Sequence, residues 1–80
     1  MKVIHLKTII KIKLCQFRIF VAQDDEYFND SVISANERAI SRYIKDYTEE
    51  EQHELISTID LVNDNCVGSL EKLGWKIVDD

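Results

Sequence analysis

Proline is missing from this 80-residue chain, and glycine occurs only at Gly68 and Gly74. Without them there is no flexible linker between separate domains, and no glycine-rich loop whose bare amides could hold a phosphate. Cysteine occurs twice, at Cys15 and Cys66, too few and too far apart for a disulfide framework or a zinc site. The two are expected as semi-buried free thiols, able to bridge only if they meet with the right geometry. No apolar run approaches the roughly 18 residues of a membrane span. Lys7, Lys11 and Lys13 interrupt the N-terminal apolar stretch and argue against a secretory signal core. What is left is a single domain over residues 1–80 with a small but adequate core, expected in the cytoplasm. Its 45% hydrophobic and 31% charged residues are those of an ordinary globular protein.

One sign of charge is also missing locally. Residues 1–22 hold Lys2, Lys7, Lys11, Lys13 and Arg18 with no acid, a charge of +5, whereas the remainder carries −10. Such asymmetry marks either an electrostatic binding surface or a basic segment neutralised by acids of its own fold. The second explanation is the one preferred from the sequence.

The N-terminal segment shows a period of two. Ile4, Leu6, Thr8, Ile10, Ile12 and Leu14 alternate with a set containing Lys7, Lys11 and Lys13, which predicts a half-buried strand. Past Cys15 and Gln16 the apolar positions become odd, at Phe17, Ile19 and Val21, so a bulge or hairpin is required. The expectation is two antiparallel strands, about 2–13 and 17–23. Gln23–Asp30 follows as an acidic connection containing Tyr27 and Phe28. Ser34 and Glu37 have capping-box spacing, and so do Thr48 and Glu51. These predict helices over about 35–46 and 49–63. Asn65 as an N-cap and Gly74 as a stop predict a third helix over about 66–73, and Trp75–Val78 a last short strand. The predicted fold is α+β, a small, mainly antiparallel sheet in the order ββαααβ, with two or three helices packed on one face.

Asn63-Asp-Asn-Cys-Val-Gly-Ser-Leu-Glu-Lys-Leu-Gly-Trp75 is similar to the Asn-x-x-Ser…Glu-Lys-x-Gly-Phe segment of GNAT-type acetyltransferases. The resemblance covers thirteen residues. It implies an Asn63 close to acetyl-CoA and a structural turn at Glu71, Lys72 and Gly74. Against it, Cys66 and Trp75 replace Ser and Phe, and the family's tyrosine position falls on Leu70. The glycine-rich pyrophosphate loop has no counterpart. A degenerate or fragmentary acetyltransferase-like domain is therefore the alternative reading.

No other constellation carries chemistry. His53 and Glu49 are spaced like two metal ligands but lack a third. The carboxylates of Glu49, Glu50, Glu51 and Glu54 have no partner nucleophile. Lys7, Lys11 and Lys13 could meet phosphates, but no aromatic interleaves them and the −10 remainder repels nucleic acid. No catalytic residue, metal or cofactor is expected, nor direct contact with nucleic acid or membrane.

The reading is a non-catalytic, acidic protein–protein interaction module whose partner presents a basic surface. Its candidate contact residues are Asp24, Asp25, Glu26 and Asp30, with Glu49, Glu50, Glu51 and Glu54. In size and charge the chain looks like small phage- or plasmid-encoded inhibitors, including anti-CRISPR and DNA-mimic proteins. Edge pairing of the long N-terminal strand offers a route to a homodimer.

Overall fold

The N-terminal run carries two periodicities at once, and the helical one wins. Ile9, Ile12, Cys15, Ile19 and Ala22 recur every three or four residues and form one stripe of a helix. In the computed structural model, which describes residues 2–24, 26 and 29–79, that helix spans Leu6–Ala22 (α1). Only Val3–His5 (β1) before it is a strand. The chain continues through α2 (Asp30–Ile44), α3 (Glu49–Thr58) and α4 (Cys66–Lys72) to β2 (Lys76–Val78).

The expected mainly antiparallel sheet of order ββαααβ is thereby corrected. Among the described residues there are four helices and two three-residue strands, in the order βααααβ. The strands pair in parallel, with Val3 opposite Lys76, Ile4 opposite Ile77 and His5 opposite Val78. The physical reason lies in what the apolar side chains find. As a helix, α1 packs along α2 and buries Ile9, Ile12, Cys15 and Ala22. A strand over the same residues would have needed a partner strand of equal length, and no other segment has one.

Local signals set most remaining boundaries. Thr48 Oγ1 accepts from the Glu51 N–H (3.1 Å), and the Glu51 carboxylate accepts from the Thr48 N–H (2.9 Å). This capping box starts α3 as expected. Helix α3 ends at Thr58 rather than near residue 63, because Ile59 is extended and buries its side chain. Helix α2 begins a turn earlier than expected. Its cap is Asn29, whose Oδ1 accepts from the Val32 N–H (3.2 Å), so Ser34 lies inside the helix. Asn65 caps α4 through the Gly68 N–H (3.2 Å), and a side chain at Gly68 would collide with that cap. Gly74, at φ +94°, ends the turn after α4 in a conformation that favours glycine.

The core joins Ile4 of β1, Ile9 and Ile12 of α1, Ile40 and Ile44 of α2, Leu55 of α3, Ile59, Leu70 of α4 and Trp75. Cys15 and Cys66 are buried and free. The strand end is fastened by polar contacts. The Tyr47 hydroxyl donates to the Val3 carbonyl (2.6 Å), and burial holds that phenol above its ordinary pKa. Its ring meets Trp75 edge-on, with centroids 5.4 Å apart. Trp75 Nε1 donates to Glu54 (2.9 Å), and Lys2 pairs with the same carboxylate (2.9 Å) while donating to the Leu73 carbonyl (2.9 Å).

Candidate functional site

The described acids of the two groups proposed from sequence lie near opposite ends of the α1–α2 hairpin. Asp24, Glu26 and Asp30 lie exposed where the hairpin turns, and Asp24 accepts from the Glu26 N–H (2.9 Å). Asp25, with Tyr27 and Phe28, lies outside the described residues. Glu49 and Glu50 lie exposed just beyond the other end of α2, a helix length of roughly 20 Å away at 1.5 Å per residue. Glu51 and Glu54, the other two candidates of that group, perform structural work. The Thr48 amide holds the Glu51 carboxyl below the ordinary carboxylate range. Hydrogen bonds from Trp75 first, then Lys2, do the same for Glu54.

The acetyltransferase-like segment is equally occupied with its own loop. The Asn63 amide donates to the Thr58 carbonyl (3.0 Å) and the Ser69 hydroxyl (3.3 Å), while its oxygen accepts from the Asn65 N–H (3.0 Å). The Cys66 thiol points at the Asn63 carbonyl (3.1 Å). Glu49 and His53 share a shallow cavity of about 330 Å³ with Ile40, Ile44, Gln52 and Ile56. Among the described residues no three His, Cys, Asp or Glu side chains converge as a metal site.

The outer face of α1 is the surface that sequence reasoning missed. Ile10, Leu14, Phe17, Phe20 and Val21 are between 46% and 66% exposed. A strand over this run would place Ile10 and Leu14 in the core; the helix turns both outward. Spacings of four, three and four residues from Ile10 to Leu14, Phe17 and Val21 align them along one side of the helix. Phe17 stands between two grooves. One, about 340 Å³, is lined by Phe17, Arg18, Val21, Ala22, Asn29 and Val32. The other, about 450 Å³, is lined by Phe17, Phe20, Asp60, Leu61 and Val62. Val62 is 86% exposed at its rim. The signal was in the sequence: α1 has apolar residues at both helical stripes, and one helix can bury only one of them.

Cations border this face. Lys7, Lys11 and Arg18 form a row on the side of α2, with the Lys11 ammonium 5.8 Å from the centre of the Tyr43 ring. Lys13, on the opposite border, donates to the Asn63 carbonyl (3.0 Å). No acid among the described residues lies within ion-pairing distance of Lys7, Lys11, Lys13 or Arg18. Among the described residues, the internal neutralisation preferred from sequence is thus seen for Lys2 and not for the cations of α1. No helix among the described residues is long and apolar enough to cross a membrane.

Comparison with protein-family models, with curated proteins and with solved structures finds no match to this chain.

Proposed function

We propose that the protein is a non-catalytic protein-interaction module that docks through the outer face of α1. The observation that carries this reading is the contiguous set Ile10, Leu14, Phe17, Phe20 and Val21, exposed on a helix whose other side is already buried. A monomeric domain leaves so large an apolar patch in water at a cost in solubility, and such patches mark interaction sites. Phe17 between two grooves has the form of a contact centre, with an aromatic anchor beside pockets that a partner's side chains can fill.

The acids have a different role in this reading. Asp24, Glu26 and Asp30 lie exposed at one end of α2 and Glu49 and Glu50 beyond the other, and none of these lines the grooves beside Phe17, so they supply solubility and act on encounter through their field. The expected basic partner surface gives way to one that first meets apolar and cationic groups.

Affinity capture from cells that make the protein tests this, comparing wild type with Leu14→Glu/Phe17→Glu and with Glu49→Lys/Glu50→Lys. Leu14→Glu/Phe17→Glu should melt like wild type, whereas Glu49→Lys/Glu50→Lys should melt slightly earlier, because it sets cations at the positive end of α3, with an unchanged circular dichroism spectrum at the temperature of the capture. Partners lost with the first variant and kept with the second are the expected result. Partners lost only on charge reversal at Glu49 and Glu50 would overturn the assignment of the face.

A further inference from the structure

From the charges around the docking face we infer that its occupant is an amphipathic helix of another protein, acidic along the flank that meets Lys7, Lys11 and Arg18. This rests on the preceding reading and adds the chemistry of the partner. The four-three-four spacing of Ile10, Leu14, Phe17 and Val21 is that of a helix seam that receives the knobs of a second helix. Positions beside such a seam choose the partner. Here they are Lys11 and Arg18 on one side and Lys13 and Phe20 on the other, so every charged one is a cation.

A second copy is a poor occupant for that reason. A parallel α1 pair sets Lys13 of one copy against Arg18 of the other. An antiparallel pair sets Lys11 against Arg18. Like charges at these positions disfavour pairing in either direction. A carboxylate-bearing helix meets the opposite situation, because the Lys7, Lys11 and Arg18 charges have no acid among the described residues of their own chain to displace. At physiological ionic strength charges beyond about 8 Å are largely screened, so the row itself, rather than the net charge of −5, is what a docked helix senses. The far border is mixed, with Asp60 lining its groove and the Lys13 ammonium turned to the Asn63 carbonyl, so acidic selection falls on the Lys7, Lys11 and Arg18 flank alone. This asymmetry fixes the direction in which the helix lies.

The same features weigh against an anionic membrane as the occupant. Asp60 would be pressed toward the headgroups, and the Leu61–Val62 rim makes the face a groove rather than the open convex surface that lies in a bilayer interface.

Three helical peptides of about 21 residues test the inference. They share one apolar seam and carry Glu, Gln or Lys along one flank, and binding to the intact protein is read by fluorescence anisotropy near 0.15 M salt. The Glu peptide is expected to bind about tenfold more tightly than the Lys peptide, which is about 1.4 kcal/mol, with the Gln peptide between. Lys7→Glu/Arg18→Glu should reverse the order. Both sites are exposed on the helix, and an unchanged circular dichroism spectrum confirms the fold. Equal binding of all three peptides, lost with Leu14→Glu/Phe17→Glu, would overturn acidic selection and leave the docking face standing. No peptide binding would overturn both if vesicles containing 30 mol% phosphatidylserine are not bound either. Binding of those vesicles without the peptides would reassign the face to a membrane surface. A dimer in sedimentation velocity that Phe17→Glu dissociates would reassign it to a second copy.

Discussion

Helix α3 is specified by consecutive residues: Thr48 and Glu51 close a capping box, and Glu49, Glu50 and Glu51 occupy its first turn. These acids sit at the positive end of the helix dipole, where negative charge is favoured. Helix α1 has none of this. His5 makes no side-chain capping bond, the first turn holds no acid and the last no base. Its interior is rich in isoleucine and phenylalanine, whose side chains lose freedom in a helix and suit a strand better. Yet α1 is the longer, at 17 residues against 10. The difference teaches that α1 owes its conformation to what it packs against. Once that inner face is satisfied, the apolar residues left over are free for another task.

Isolation of the segment separates the two routes most strongly. A peptide of residues 5–23 exceeds the roughly 12–15 residues at which a good helix former holds some structure in water. It should nevertheless show no helix by circular dichroism, and assemble into β-structure as its concentration rises. Stable helix in the free peptide would mean that α1 is locally encoded after all. In the intact protein Ile12→Ala removes a fully buried side chain and should cost about 2–5 kcal/mol in denaturant unfolding, with α1 melting together with the core. Survival of α1 in a protein that has lost its core would contradict the comparison.

That contrast also explains which regions of the fold were legible. The start of α3, the cap at Asn65 and the stop at Gly74 follow from the sequence because each depends on neighbours a few residues away. The strand expected over residues 2–13 does not form, because alternation of Ile10, Ile12 and Leu14 and the stripe of Ile9, Ile12 and Cys15 coexist in one run. Only the packing partners decide between them, and these include Ile40 and Ile44 of α2, Leu55 of α3 and Leu70 of α4, all outside the run itself. The cap of α2 is displaced for a smaller reason, since Ser34 and Glu37 have the right spacing but Asn29 closes the helix first. Of the candidate site, composition correctly located the uneven charge. The capping-box spacing already tied Glu51 to Thr48, but nothing local reveals that Glu54 holds Trp75 and Lys2, or that Asp30 and Glu49 lie at opposite ends of a hairpin. Parallel pairing of Val3–His5 with Lys76–Val78 joins the two ends of the chain and leaves no local mark.

Smaller effects sharpen the picture. Thr48→Ala should cost about 1 kcal/mol and speed hydrogen exchange in the first turn of α3 while leaving α1 unchanged. Equal acceleration in both helices would show that α3 also depends on the whole. Glu54→Gln removes a carboxylate whose native pKa is lowered by Trp75 and Lys2. A lowered native value means that the unfolded chain binds the proton more readily, so the stabilisation is complete above the ordinary carboxylate range. It is lost as pH falls through the lowered native value. The variant should therefore melt earlier than wild type at pH 7, and the two curves should converge in acid. A constant difference at every pH would assign the loss to packing alone.

The most direct measurement is backbone and methyl NMR of the free protein with a soluble nitroxide added. Helical Cα shifts are predicted from Leu6 to Ala22, with the methyls of Ile10, Leu14 and Val21 broadened by the nitroxide while those of Ile9 and Ile12 stay protected. Strand-like shifts over residues 6–14, or protection of Ile10, Leu14 and Val21 in a monomeric sample, would contradict the account.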